Sequence, residues 1–136
     1  MRVVVIGCGR VGAILVRQLV AHGHTVGVVD VDPLALERLG EDFPGQRVVG
    51  TGIDEANLLA AGLEGADGLA AVTDKDNVNL VAGQLAREKY HVPVVVARVY
   101  DPKRQEVYEE VGIHTISFAA AGADLVYTAL TGREGR

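Results

Sequence analysis

Apolar residues along this chain alternate between two spacings. Residues 3–6, Val-Val-Val-Ile, form an unbroken β-branched run, as in a strand buried on both faces. Val11, Ile14, Leu15 and Leu19 then recur at helical spacing. The exchange of short run and helical repeat continues to the end. Strands are expected at 26–29, 47–49, 68–72, 92–97 and 113–116, and helices at 33–39, 55–61, 75–89, 102–111 and 117–130. In the long fourth helix Val78, Val81, Ala82 and Leu85 share the apolar side, and the last helix carries Phe118, Leu125, Val126 and Ala129.

Punctuation supports these limits. Asp32-Pro33 and Asp101-Pro102 join a capping carboxylate to a proline suited to a first helical turn, and Asp54 is a further cap. Gly23 and Gly112 stop helices. Strand and helix alternate without a long loop. Right-handed crossovers then leave one economical topology: an α/β fold with a doubly wound, six-stranded parallel sheet in the order 3-2-1-4-5-6. Residues 1–132 read as one domain and 133–136 as a polar tail.

Composition narrows the class. The 136 residues suffice for one domain with a real core. A net charge of −5 offers no basic footprint for nucleic acid or for an anionic membrane surface. One cysteine excludes an internal disulfide, and no run approaches the ~18 apolar residues of a spanning helix. With the first strand starting at residue 2, no room is left for a signal peptide, and the chain reads as a cytosolic domain.

Chemistry concentrates at the carboxyl ends of the strands. Gly7, Gly9 and Gly12 are spaced G-x-G-x-x-G between the first strand and the first helix, the context that makes a Rossmann-like dinucleotide fold. The first glycine permits a tight turn, the second lets backbone approach a pyrophosphate, and the third lets helix pack on strand. Asp30 ends the second strand, where an acidic residue accepts a ribose hydroxyl; Asp32 fits better as a helix cap. Gly50-Thr51 and Thr73-Asp74 end the third and fourth strands on the same edge. Arg10 reads as a phosphate ligand or a solvated arginine, and Arg98 as a ligand or an ion-pair partner. Cys8 is either a redox sensor at a helix N-terminus or a small residue facing the core, and the usual burial of free cysteines favours the second. His22 and His24 lack metal-ligand spacing, and His91 and His114 read as structural.

The segments IGCGRVG, VVDVD, VVGTGIDEANL, LAAVTDKDNVNL, VVVARVYDP and EEVGIHTIS together resemble the amino-terminal RCK domain, also called KTN or TrkA-N. The resemblance covers about residues 2–130. Its glycine motif is shared by all Rossmann proteins, whereas AVTD-x-D-x-x-N-L and the ARV after the fifth strand are more particular. It implies a cytoplasmic regulatory domain, or one peripheral to the inner membrane through its partner. Such a domain binds NAD(H), ATP or ADP, forms a homodimer or larger ring, and controls a membrane-embedded potassium transporter or channel subunit without itself inserting in the membrane.

By matching position, Gly7, Gly9, Arg10 and Gly12 would hold phosphates and Asp30 the ribose. Thr73 and Asp74 would edge the crevice, and Arg98 would reach phosphate. Cys8, Val11, Val31, Asp32, Thr51 and Gly52 complete the implied set. Glu109 matches a carboxylate that approaches a nucleotide-associated cation in some members. One departure concerns the base: the family often has Gly-Asp where this chain has Gly50-Thr51. The family's carboxyl-terminal lobe is also missing, so the chain is expected to be a fragment or a single-domain subunit.

Two other readings stay open at this level. One is an NAD-dependent oxidoreductase fragment lacking its substrate domain. Against it, none of Tyr90, Tyr100, Tyr108 and Tyr127 has a lysine four residues later. The other is an interaction module whose glycines serve packing alone.

Overall fold

The computed structural model describes residues 1–133. Six strands, β1 (Arg2–Ile6), β2 (Thr25–Asp30), β3 (Gln46–Val49), β4 (Gly68–Ala71), β5 (Val94–Arg98) and β6 (His114–Ile116), form one sheet. Every pairing is parallel and the order is β3-β2-β1-β4-β5-β6, as the alternation predicts. The first strand is therefore central, with Ile6 level with Val29 on one side and Ala71 on the other.

Side chains of β1 alternate between two cores. Val3 and Val5 join Val16, Val28, Leu36 and Phe43 on the face covered by α1 (Arg10–Ala21) and α2 (Pro33–Glu37). Val4 and Ile6 join Leu58, Leu69, Ala82, Val95 and Tyr108 on the other. That face is covered by α3 (Glu55–Ala60), α4 (Asp76–Gln84) and α5 (Gln105–Glu110). Burial on both faces explains why the strand sequences are continuous apolar runs.

The helices differ from expectation in which side they bury. In α1 the sheet takes Gly12 and Val16, with Leu15 and Leu19 packed beside them, while Val11 and Ile14 are exposed. The cause is Gly12: because it must lie against the turn at Gly7, the helix is rotated so that positions three, four and seven further on face inward. In α4 the inward residues are Asn79, Ala82 and Gly83, and Val81 is exposed. That helix also stops short of its expected end: Leu85–Lys89 forms a π turn. Likewise the helix expected from residue 102 opens as a 3₁₀ turn, Pro102–Arg104, before α5. Strand β5 starts two residues late, since Pro93 has no N–H to enter a ladder.

The largest difference lies in α6 (Phe118–Thr131). Ser117 caps it, accepting from the Ala120 N–H at 3.2 Å, and Gly132 ends it in the left-handed conformation. Yet no residue of α6 is buried, and Leu125 and Leu130 are 73% and 80% exposed. The sheet covers neither side of this helix. Of the expected polar tail, residues 134–136 lie outside the described residues.

Candidate functional site

A cavity of about 510 Å³ opens where the strand order reverses, at the carboxyl ends of β1, β2 and β4. This is where ligands bind in open parallel sheets. Its wall is laid by backbone first. Gly7 turns the chain out of β1 with φ +101°, a conformation that an L side chain rarely adopts, and its N–H is tied to the Val29 carbonyl at 2.8 Å. At Gly12 an added Cβ would overlap the Gly7 carbonyl oxygen, so glycine is required for the close approach of helix and turn. At Gly9 an added Cβ would meet nothing within 4 Å, and this residue faces the cavity. Gly7 and Gly12 thus serve the tight turn and the close packing that their spacing suggests, while Gly9 leaves open space beside the turn. The first-turn amides of α1 lack intrahelical acceptors and carry the positive end of the helix dipole, a setting that favours an anion.

Asp30 is fixed before anything binds. Its Oδ2 accepts from the Cys8 N–H at 2.6 Å and its Oδ1 from the Asp32 N–H at 2.8 Å. The carboxylate therefore latches the glycine turn to the end of β2, while the half-buried side chain still lines the cavity. Each carboxylate oxygen keeps a further lone pair for a hydroxyl donor.

The opposite wall is organised by Asn79, which is fully buried yet has no unsatisfied atom. Its Oδ1 accepts from the Thr73 N–H at 3.0 Å and the Thr73 hydroxyl at 2.7 Å. Its Nδ2 donates to the Thr73 carbonyl at 3.1 Å and the Arg98 carbonyl at 3.0 Å. One amide thereby staples the end of β4 to the end of β5. Asp76 adds a second staple, its carboxylate accepting from the Tyr100 and Asp101 N–H groups.

Twelve of the fourteen sequence-derived candidates line this one cavity: Gly7, Gly9, Arg10, Val11, Gly12, Asp30, Val31, Thr51, Gly52, Thr73, Asp74 and Arg98. Two do not. The Cys8 side chain points into the core, 2% exposed, with its thiol donating to the Ala35 carbonyl. Burial, and then the Asp30 carboxylate, push that thiol's pKa up, which opposes the redox-sensor reading. Asp32 caps α2, accepting from the Leu34 N–H at 3.0 Å.

Thr51 binds its own turn, its hydroxyl accepting from the Ile53 N–H at 3.3 Å. Glu109 is exposed on α5 and away from the lining, and no cluster of three His, Cys, Asp or Glu side chains suited to a metal occurs among the described residues. Sequence reasoning missed Lys75 and Val78, which line the cavity from the start of α4, and Asn79. Two signals for Asn79 were available: a polar residue on the inward stripe of an amphipathic helix, and its place as the asparagine of AVTD-x-D-x-x-N-L.

Arg98 is held by aromatic rings. Its Cζ lies 4.2 Å from the Tyr100 ring centroid and 4.4 Å from that of Phe118. Among the described residues the single ion pair is Lys89–Glu55, at 2.8 Å on the surface, so Arg98 has no carboxylate partner there. Arg10, Lys75 and Arg98 bring positive charge to the lining, against Asp30 and Asp74. Such a cavity suits a ligand with a hydroxyl-bearing end at Asp30 and an anionic stretch over the glycine turn.

Comparison with known proteins agrees with this architecture. A potassium uptake protein, TrkA of the Trk system in Streptomyces coelicolor, is 48% identical over 124 residues, 91% of this chain and 56% of its own length. The chain thus spans about half the length of that relative. The TrkA-N domain of the inner membrane protein ybaL from Escherichia coli superposes with a TM-score of 0.83 at 20% identity, covering 96% of each chain. A Kef C-terminal domain from Shewanella denitrificans, solved in its AMP-bound form, gives 0.76 at 25% identity over 98% of this chain and 83% of its own. Residues 3–119 match the family model of the TrkA-N domain, which is most of the chain. By that match the chain belongs to the TrkA-N domain family.

Proposed function

We propose that this chain is a nucleotide-binding regulatory domain that controls potassium transport through a membrane-embedded transporter or channel partner. NAD(H), ATP or ADP would occupy the cavity, with ribose on Asp30, diphosphate over Gly9 and the first turn of α1, and phosphate oxygens within reach of Arg10 and Arg98. The observation that carries this reading is the convergence, in one cavity of about 510 Å³, of a latched carboxylate, an open glycine turn and two arginines with no carboxylate partner among the described residues. The AMP-bound Kef domain and the potassium-uptake relative support it by likeness.

A regulatory rather than catalytic role is part of the proposal, supported by the potassium uptake that the relative's name gives, and a cytoplasmic location beside the membrane would follow from such a partner. No helix among the described residues is long and apolar enough to cross a membrane. Self-association as a homodimer or larger ring would cover the exposed apolar residues of α6.

A thermal-shift panel with NAD, NADH, ADP, ATP and NADPH tests the ligand class. At 100 times its dissociation constant a ligand stabilises by about 2.7 kcal/mol, a rise of roughly 10 °C for a domain of this size. NADPH should shift least, because the Asp30 carboxylate repels a 2′-phosphate. No shift with any adenine nucleotide at millimolar concentration would end the proposal.

A further inference from the structure

We propose that Phe118, the first residue of α6, is a positioning residue for the cavity: by holding the Arg98 guanidinium it links phosphate binding to the seating of α6. The inference rests on the nucleotide reading above and adds to it a route by which occupancy is felt outside the cavity.

Phe118 does not line the cavity, whereas Arg98 does. Any effect of Phe118 on a ligand therefore passes through its contact with Arg98, 4.4 Å from ring centroid to Cζ. A guanidinium stacks through its faces and donates hydrogen bonds along its edge. Rings packed on it restrict the side chain while leaving the N–H fork for phosphate oxygens. The other holds on the arginine are the Tyr100 ring, 4.2 Å from its Cζ, and its backbone, where Asn79 holds the carbonyl at 3.0 Å.

On the other side of the contact, α6 buries none of its residues, and Phe118 is its one large apolar side chain that is not exposed. The ring on Arg98 is thus a principal attachment of the first turn of α6. An anion that fixes the guanidinium also fixes this ring. By reciprocity, whatever captures α6 changes the affinity for the anion by the same factor.

A double-mutant cycle tests the link, read by calorimetry with ADP on the full chain. Phe118→Leu keeps apolar bulk and removes the π face; Arg98→Gln removes the charge. Phe118→Leu should weaken ADP about three- to tenfold, from the strength of a partly desolvated cation–π contact. In the Arg98→Gln background it should have no further effect, and Phe118→Tyr should retain wild-type affinity. Hydrogen exchange over residues 118–124 should slow on adding ADP to the wild type and not to Arg98→Gln. A purely structural Phe118 would lower the melting temperature alone. Unchanged ADP affinity in Phe118→Leu, or the same loss with and without Arg98, overturns the inference and leaves the nucleotide reading standing. Failure of the wild type to bind ADP overturns the inference alone, and the nucleotide reading falls with it only if NAD, NADH and ATP fail as well.

Discussion

Alanine at Gly12 and alanine at Gly9 should behave as opposites. Gly12→Ala places a Cβ onto the Gly7 carbonyl, overlapping its oxygen and lying 2.8 Å from its carbon. To restore an ordinary carbon–carbon contact of ~3.5 Å, helix and turn must part by at least roughly 0.7 Å. The turn is held by the Gly7–Val29 bond and by the Asp30 latch, so the parting strains both. Overpacking of this kind costs about 1–3 kcal/mol, a fall in melting temperature of about 4–12 °C. Gly9→Ala meets nothing within 4 Å, and its backbone is extended, so the melting temperature should stay within about 3 °C of wild type. Its methyl group projects where the diphosphate must approach the turn, and ADP affinity should drop by more than about tenfold. Differential scanning calorimetry and titration calorimetry on the two variants decide the matter. Wild-type affinity in Gly9→Ala would move the phosphates away from this turn, and a wild-type melt for Gly12→Ala would refute the packing argument.

Other expectations follow from the same contacts. Asp30→Asn keeps one acceptor and sets its NH₂ against a backbone N–H, so it should lose one charge-assisted bond, about 1.5–3 kcal/mol of stability, as well as nucleotide affinity; retention of both in a melt and a titration would clear Asp30 of either role. Asn79→Ala strands the Thr73 N–H and two carbonyls and should destabilise by about 2 kcal/mol or more, measured by urea unfolding. The Cys8 thiol, buried and with its pKa raised, should remain protonated as pH rises through the range where a free thiol ionises. Its alkylation at pH 8–9 should therefore be slow until the protein is unfolded, and rapid native labelling would contradict the burial. Leu125→Glu with Leu130→Glu should reduce self-association in light scattering coupled to gel filtration, and a wild-type monomer at tens of micromolar would remove α6 as an interface.

What could be read from sequence was what one residue type forces. Strand order, the turn at Gly7 and the close packing at Gly12 were legible because β-branched runs and a G-x-G-x-x-G spacing admit few mechanical solutions. The cavity was legible for a related reason: a parallel sheet gathers its strand ends on one edge, so Asp30, Thr51, Thr73 and Arg98 were bound to meet. Helix faces were not. Periodicity gives an apolar arc, but the contact at Gly12 set the rotation of α1, and a saturated amide at Asn79 displaced Val81 from the inside of α4. Nor does pattern tell an apolar helix that a sheet covers from one that it leaves open, as it leaves α6. The π turn at Leu85–Lys89 left no mark in the periodicity at all.

The central place of β1 has a consequence for how the chain is made. β1 is synthesised before either neighbour, and its pairing with β4 waits until Ala71 has followed Ile6 out of the ribosome. At about 5–20 residues per second that delay is several seconds. During it the Val3–Ile6 run, destined to be covered on both faces, has at best one partner strand and no far wall. Nascent chains cut off before β4 should therefore be sticky rather than merely unfinished, and their rescue would fall to chaperones that bind short extended apolar segments.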